Sequence, residues 1–459
     1  MYTHDNQTII AQCTPSGSGA LALLRMCGDD ALTIASRMSR LSSGKSLTEL
    51  PTHTIHYGKV INEQGTIIDS VMFLLMHGPK TFTGQHTVEI TCHNNPFIIN
   101  DIIASAISCG ARLAQEGEFT RRAVMNKKID LVQAEAINEL IHANTAQALK
   151  KSLAQLDGSF SHWIQQIEQE LIKALAFSES SFEFIDEEME FGNQIKASVD
   201  TIITTIHMLK KAFNQQQQIR QGVRIALIGS VNAGKSSLFN ALLHKERSIV
   251  TNIAGTTRDV IEAGLYKSNS YWTLIDTAGL RATDDTIEQE GIARSLQEAA
   301  LADIIILIVD STRSMTHEEH TIYNDIIAQH QQKIIIVHNK IDMRMPDQLP
   351  LAATCTTLEV SSTQRINLEL LENHIEEKIA HLFAQADAPF LLNKRQYTLL
   401  LALEKALGDI QQMLHTQHIA YELLSYHLQE ALTHLTELTG KTISEQGMDA
   451  VFREFCVGK

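Results

Sequence analysis

The stretch Gly229-Ser-Val-Asn-Ala-Gly-Lys-Ser236 is a complete G-x-x-x-x-G-K-[ST] loop, and it constrains this chain more than any other feature. The apolar run Val223-Arg-Ile-Ala-Leu-Ile228 before it reads as a buried strand, and Ser237-Leu-Phe-Asn-Ala-Leu-Leu243 after it reads as a helix. In that setting the glycines let backbone N–H groups wrap a phosphate, and the positive end of the helix adds its dipole. Lys235 can then reach the β- and γ-phosphates, while the Ser236 hydroxyl ligates Mg²⁺.

The 459 residues suffice for about three domains. A formal net charge of −15 argues against a wide basic nucleic-acid footprint, so any RNA contact is expected to be local or supplied by a partner. Cysteines 13, 27, 92, 109, 355 and 456 are scattered without a Cys-x-x-Cys pair, which points to a reducing cytoplasm rather than a disulfide frame or zinc site. No run approaches the ~18 apolar residues of a membrane span, and the N-terminus lacks a signal-peptide layout. The expectation is a cytoplasmic chain with no membrane partner.

Residues 8–120 read as mixed α/β. Strands are expected at Thr8–Cys13, Ala20–Arg25, Asp69–Met76 and Thr87–Thr91, with a turn at Thr14–Gly19 and a helix over Pro96–Ser108. From Glu118 onward apolar residues recur at three- and four-residue steps, and no proline falls between Pro96 and Pro346 to obstruct long helices. The charge run Glu183–Glu190 reads as a solvated loop and Gln215–Gln218 as a linker into the nucleotide domain. Residues 391–438 are again helical. The two helical blocks are expected to pack together with the nucleotide domain inserted between them; two separate bundles are the alternative.

Behind the phosphate loop come Thr251-Asn-Ile-Ala-Gly-Thr-Thr-Arg-Asp259, Leu274-Ile-Asp-Thr-Ala-Gly279, Val337-His-Asn-Lys-Ile-Asp342 and Val360-Ser-Ser362, the G-protein elements in order. Asp276 can hold Mg²⁺ through water, and Gly279 offers an N–H to the γ-phosphate. Asp342 can accept two N–H bonds from guanine that adenine cannot supply, so the ligand is GTP. Nucleotide contacts are expected from Asn232, Ala233, Gly234, Lys235, Ser236 and Ser237, and from Thr251, Asn252, Ile253, Ala254, Gly255, Thr256 and Thr257. Asp276, Thr277, Ala278, Gly279, Asn339, Lys340 and Asp342 complete the set. Leu280 stands where Ras-like enzymes carry a water-orienting glutamine. Hydrolysis then needs another acid, with Glu288 the candidate, and a cation in place of an arginine finger. Arg258 and Arg281 are either fingers or plain surface residues.

With Gly255-Thr-Thr-Arg-Asp259, Asp276-Thr-Ala-Gly-Leu-Arg281, Gly117-Glu-Phe-Thr-Arg-Arg-Ala123 and the terminal Phe455-Cys-Val-Gly-Lys459, the chain resembles the MnmE (TrmE) family of tRNA modification GTPases along its whole length. The resemblance implies hydrolysis of GTP with K⁺ bound beside the phosphates, ligated at Asn232, Thr251, Ile253 and Thr256. It places Thr257 with Ser236 on Mg²⁺, and makes Glu288, Lys235 and Thr257 the catalytic set. It further implies an N-terminal domain that dimerises and holds a 5-formyl- or 5,10-methylene-tetrahydrofolate through Arg25, Glu89, Lys128 and Lys459. Cys456 matches a near-terminal family cysteine, for which a chemical role and simple packing both stand open. The implied partner is an FAD-bearing MnmG-type protein, giving a heterotetramer that modifies C5 of wobble uridines in tRNA.

The expected layout is a multidomain α/β plus α chain. An N-terminal α+β folate-binding-like domain spans 1–120, a helical domain is built from 121–218 and 383–459, and a Ras-like P-loop G domain spans 219–382. The chain departs from the family at Val231, at Ser18-Gly-Ala20 and at His93-Asn-Asn95; asparagine's tolerance of left-handed backbone is expected to preserve the last turn. The rival reading is a ribosome-assembly GTPase of the Era or Der type, which normally carries a basic KH-type module that this acidic chain lacks.

Overall fold

The computed structural model describes residues 7–180, 188–243, 261–267, 270–276, 296–343, 355–385, 389–416 and 420–458. The chain divides into two compact units. One comprises Met1–Asn138, Ala154–Ile203 and Thr398–Lys459; the other comprises Glu139–Leu153 and Thr204–Tyr397.

The first unit is built on a seven-stranded sheet. Its strands are β1 (Ile9–Gln12), β2 (Leu21–Cys27), β3 (Ser39–Leu41), β4 (Thr54–Ile61), β5 (Ile67–Met76), β6 (Thr87–His93) and β7 (Arg112–Leu113), in the order β3-β4-β5-β6-β2-β1-β7. Alternation along the strands sends Leu24, Met26, Phe73, Leu75, Val88 and Ile90 to one face. There they pack with Ile34 and Ala35 of α1 (Ala31–Arg37) and Ile99 and Ile102 of α2 (Pro96–Ser108). The opposite face carries Ile9, Ala11 and Cys27, covered by Phe119 of α3 (Glu118–Met125).

Helix α3 is held by a buried cation. Arg122 donates to the carbonyls of Gln7 at 2.9 Å and Cys27 at 3.5 Å, to Gln85 Oε1 at 3.1 Å and to Glu118 Oε1 at 2.9 Å. Glu118 is clamped from its other side by Arg112, at 2.6 and 2.8 Å. Burial raises the cost of the Glu118 charge, but the two guanidinium groups and the Gln115 N–H outweigh it and hold its carboxyl below the ordinary range. Such a pair satisfies itself inside the protein, and removing one partner would strand the other.

The helical part of this unit centres on α6 (Ser159–Ser180), which follows α5 (Ala146–Leu156) in the chain, against α12 (Tyr421–Leu438), which follows α11 (Lys394–Leu414); Ile164, Leu171, Leu424, Leu428 and Leu435 are buried. Ser178 Oγ lies 2.8 Å from Ser425 Oγ at their crossing. Helix α13 (Glu445–Phe452) packs Met448 and Phe452, with Phe455 beyond it, onto Leu131 and Ala134 of α4 (Leu131–Ile141).

The second unit holds a six-stranded sheet of β8 (Val223–Gly229), β9 (Ile261–Lys267), β10 (Ser270–Asp276), β11 (Ile304–Asp310), β12 (Ile334–Asn339) and β13 (Thr356–Glu359). The order is β13-β12-β11-β8-β10-β9, parallel throughout except for the β9–β10 hairpin. Burial on both faces explains the unbroken apolar runs of β11 and β12. α8 (Lys235–Leu243) and α10 (Leu368–Gln385) supply Leu238, Leu371 and Ile375 to one face; α9 (His317–His330) supplies Tyr323, Ile326 and Ile327 to the other.

Three expectations need correction. The Gln215–Gln218 run is no linker: α7 (Glu188–Gln221) continues through it as helix, and only Gly222, at φ +85°, separates it from β8. Glutamine is a good helix former, and polarity alone does not break a helix. For the same reason Glu188–Glu190, expected as part of a solvated loop, are the first residues of α7; residues 183–187 lie outside the described residues. Asn94 and Asn95 are not left-handed. Asn95 is extended at φ −122° and caps α2 through Phe97 N–H, while the Asn94 amide donates to Gly17 O at 2.9 Å. The turn therefore survives by hydrogen bonding.

Candidate functional site

The phosphate loop leaves β8 at Gly229 and enters α8 at Lys235. Asn232 at φ +65° and Gly234 at φ +93° turn it. At Gly234 a Cβ would stand 2.2 Å from Asn339 Nδ2, so the glycine permits the base-side loop to touch the phosphate loop. Lys235 is 8% exposed, and its Nζ donates to the carbonyls of Gly229 at 2.6 Å and Ser230 at 2.7 Å. Burial lowers the pKa of this ammonium, and the Asp276 carboxylate at the end of β10 acts in the opposite sense. Asp276 is itself buried. Ser236, Ser237 and Asn232 are exposed along the loop, so a hydroxyl and an amide are available to hard cations.

The base-side elements are tied to the same loop. Asn339, 1% exposed, donates from Nδ2 to Ala233 O at 2.9 Å and accepts at Oδ1 from Ser362 N and Oγ at 3.1 and 2.8 Å. Lys340, at φ +64°, reaches back to Asn232 O at 2.6 Å and Asp310 Oδ2 at 2.7 Å. Burial opposes ionisation of Asp310, but Lys340 and Thr312 prevail and lower its pKa. Asp342 follows in a short 3₁₀ turn (Ile341–Met343) and is exposed. The structure thus brings together Asn232, Ala233, Gly234, Lys235, Asn339 and Lys340, with Asp276 beside Lys235. Thr251, Asn252, Ile253, Ala254, Gly255, Thr256, Thr257, Thr277, Ala278, Gly279 and Glu288 lie outside the described residues, as do Arg258, Arg281 and Lys459.

A second cluster occupies the N-terminal sheet. Arg25 and Glu89 are direct cross-strand partners in β2 and β6, joined at 2.8 Å, and the guanidinium lies 5.6 Å from the Phe119 ring centroid. Lys128 makes no hydrogen bond to them. Its Nζ donates to Pro79 O at 2.9 Å, in the loop that leads into β6. The tail comes back to the same sheet. Gly117 N–H donates to Cys456 O at 3.3 Å, Val457 bridges Glu116, and Gly458 packs against Gln12 and Cys13. Because Ala11 pairs with Arg25 and Gln12 with Leu24, the tail ends one strand away from the Arg25–Glu89 pair. Cys456 is exposed.

Sequence reasoning missed Asp310, the second anchor of Lys340, and Arg313 and Tyr323, which contact Ser230. An Asp closing an apolar parallel strand was the available signal for the first. The other two reach the loop from the connection after β11 and from α9, and their spacing carries no local motif.

A family model described as the MnmE helical domain matches residues 131–456, and one described as GTP-binding protein TrmE N-terminus matches residues 8–128. Three relatives, each called tRNA modification GTPase MnmE, align over nearly the full length. The Christiangramia forsetii protein is 33% identical, covering 99% of this chain and 99% of its own. The Streptococcus mutans protein is 36% identical with 100% of both covered, and the Geobacillus thermodenitrificans protein 35% identical over 98% and 99%.

Proposed function

The chain belongs to the MnmE family of tRNA modification GTPases, and we propose that its GTP hydrolysis drives modification of C5 of the wobble uridine in certain tRNAs. The observation that carries this reading is the pairing in one chain of a tied G-protein loop system with a C-terminal tail seated beside an Arg–Glu pair on a separate sheet.

The residues fit GTP and Mg²⁺. Lys235 offers a desolvated cation to the phosphates, Ser236 and Asp276 offer hard oxygens to the metal, and the exposed Asp342 offers two acceptors to guanine. Asn232 presents an exposed amide at the turn, the donor type suited to K⁺; Thr251, Ile253 and Thr256 complete that proposed set, with Thr257 on Mg²⁺ and Glu288 orienting water. A bound K⁺ would supply the charge that an arginine finger supplies elsewhere. On the N-terminal sheet, Glu89 can hydrogen-bond the amino edge of a pterin, and Arg25, Lys128 and Lys459 can meet the carboxylates of a tetrahydrofolate. Glu89 already gives Oε1 to Arg25, so such a ligand would use its other oxygen or share the pair. The division into 1–120, 121–218, 219–382 and 383–459, the homodimer, the FAD-bearing MnmG-type partner and the cytoplasmic setting belong to the same proposal. Among the described residues no helix is long and apolar enough to cross a membrane.

The test is nucleoside mass spectrometry on bulk tRNA from cells with and without the gene. Loss of C5-aminomethyl-type wobble uridines is the expected result. Unchanged uridines would overturn the tRNA assignment and leave a GTPase of another pathway.

A further inference from the structure

We propose that Tyr323 is a positioning residue for GTP hydrolysis, acting through a single peptide group to fix the ammonium of Lys235. The proposal rests on reading the loop as the GTP-hydrolysing site. The Ser230 N–H donates to the Tyr323 hydroxyl at 2.7 Å. The carbonyl of that same peptide unit belongs to Gly229, and it accepts from Lys235 Nζ at 2.6 Å. In a trans peptide the N–H and C=O point in opposite directions, so one planar group spans from the tyrosine to the lysine. Rotating that plane would break both bonds at once.

Tyr323 is well placed to hold the plane. It is 5% exposed, and its hydroxyl proton goes to Ile308 O at 3.1 Å, leaving its oxygen to accept from Ser230. The strands come close enough for this because residue 229 is glycine: a Cβ there would stand 2.6 Å from Ile308 O. The Ser230 side chain is held independently. Its Oγ accepts from Arg313 Nη2 at 3.0 Å, and Arg313 forks onto Glu319, which completes the capping box of α9. The N–H and Oγ of Ser230 thus both point to protein partners, and these contacts set the entry of the loop. Lys235 presents charge to the phosphates only from a fixed Nζ position, and fixed donors are what such sites rely on.

The experiment uses the full chain with Mg²⁺ and KCl, comparing wild type, Tyr323→Phe, Lys235→Ala and the double variant. Calorimetry with a non-hydrolysable GTP analogue gives affinity and the number of competent sites; GTP turnover is expressed per competent site. Tyr323→Phe is expected to lower turnover per site and analogue affinity about tenfold, the scale of one well-placed hydrogen bond. In the Lys235→Ala background the same change should alter affinity less than about twofold, because the tyrosine acts through the lysine. Equal losses in both backgrounds, or a fall in site number with turnover per site unchanged, would overturn the proposal. A wild-type chain that binds no analogue would instead sink the GTP reading itself.

Discussion

Cys13 and Gly458 stand 445 residues apart in the chain, and the Cys13 thiol donates to the Gly458 carbonyl across 3.1 Å. Gly458 adopts φ +96°, and a Cβ on it would fall 2.5 Å from Gln12 O. Gly458→Val should therefore unseat the tail at a cost of about 1–3 kcal/mol. Faster tryptic cleavage at the exposed Arg453 and a lower unfolding midpoint are the expected readouts. Gly44→Val is the control, since Gly44 also has positive φ, at +70°, but open space around it. Equal effects at both positions would mean that backbone strain alone, without the collision, accounts for the loss.

The Arg313–Glu319 fork gives a pH signature. Arg313 holds the Glu319 carboxyl down at about 2 against an ordinary 4.5, with burial opposing and the Thr316 N–H assisting. A depressed carboxyl stabilises the fold fully above its unfolded value, and that contribution drains away as pH falls from about 4.5 through about 2. Glu319→Gln should cost about 1 kcal/mol at neutral pH, discounted for partial exposure. The gap in urea midpoint between wild type and variant should narrow on going to pH 4 and then pH 3. A gap constant over that series would show that the pair contributes nothing through charge.

Base choice should reside in one exposed carboxylate. Asp342→Asn replaces an acceptor by a donor at the position proposed to meet guanine N–H groups. Affinity for GTP should fall by at least about 10²-fold, and xanthosine triphosphate, which carries an oxygen at that edge, should bind better than GTP. Competition calorimetry with the two nucleotides decides it; an unchanged preference for guanine would remove Asp342 from recognition.

Monovalent-cation dependence isolates Asn232. GTP turnover should be several-fold higher in KCl than in NaCl, and Asn232→Ala should erase the difference by removing an oxygen ligand. Equal rates of the wild-type chain in both salts would sink the potassium assignment.

Much of the nucleotide site was legible because its parts are local. Gly229–Ser236 and Asn339–Asp342 each sit at the end of an apolar parallel strand, and the order of the motifs fixes how they meet. The N-terminal site was less so. Arg25 and Glu89 were named through a resemblance, and only the β2–β6 register makes them neighbours. Tyr323 and Asp310 were missed, because one comes to the loop from a helix face and the other from a neighbouring strand. The helix through Gln215–Gln218 was not legible, because a polar run resembles a break although glutamine costs a helix little.

Arg122 has a consequence for the order of events during folding. Its partners Gln85, Cys27 and Gln7 lie 37, 95 and 115 residues away along the chain. A fork that needs all of them cannot close until β1, β2 and the β5–β6 loop have been gathered around α3, and loop-closure entropy makes such a step late. Interactions formed after the rate-limiting barrier leave refolding speed nearly untouched and act on the escape rate instead. Arg122 is thus a latch on the lifetime of the N-terminal sheet, with two backbone carbonyls among its catches.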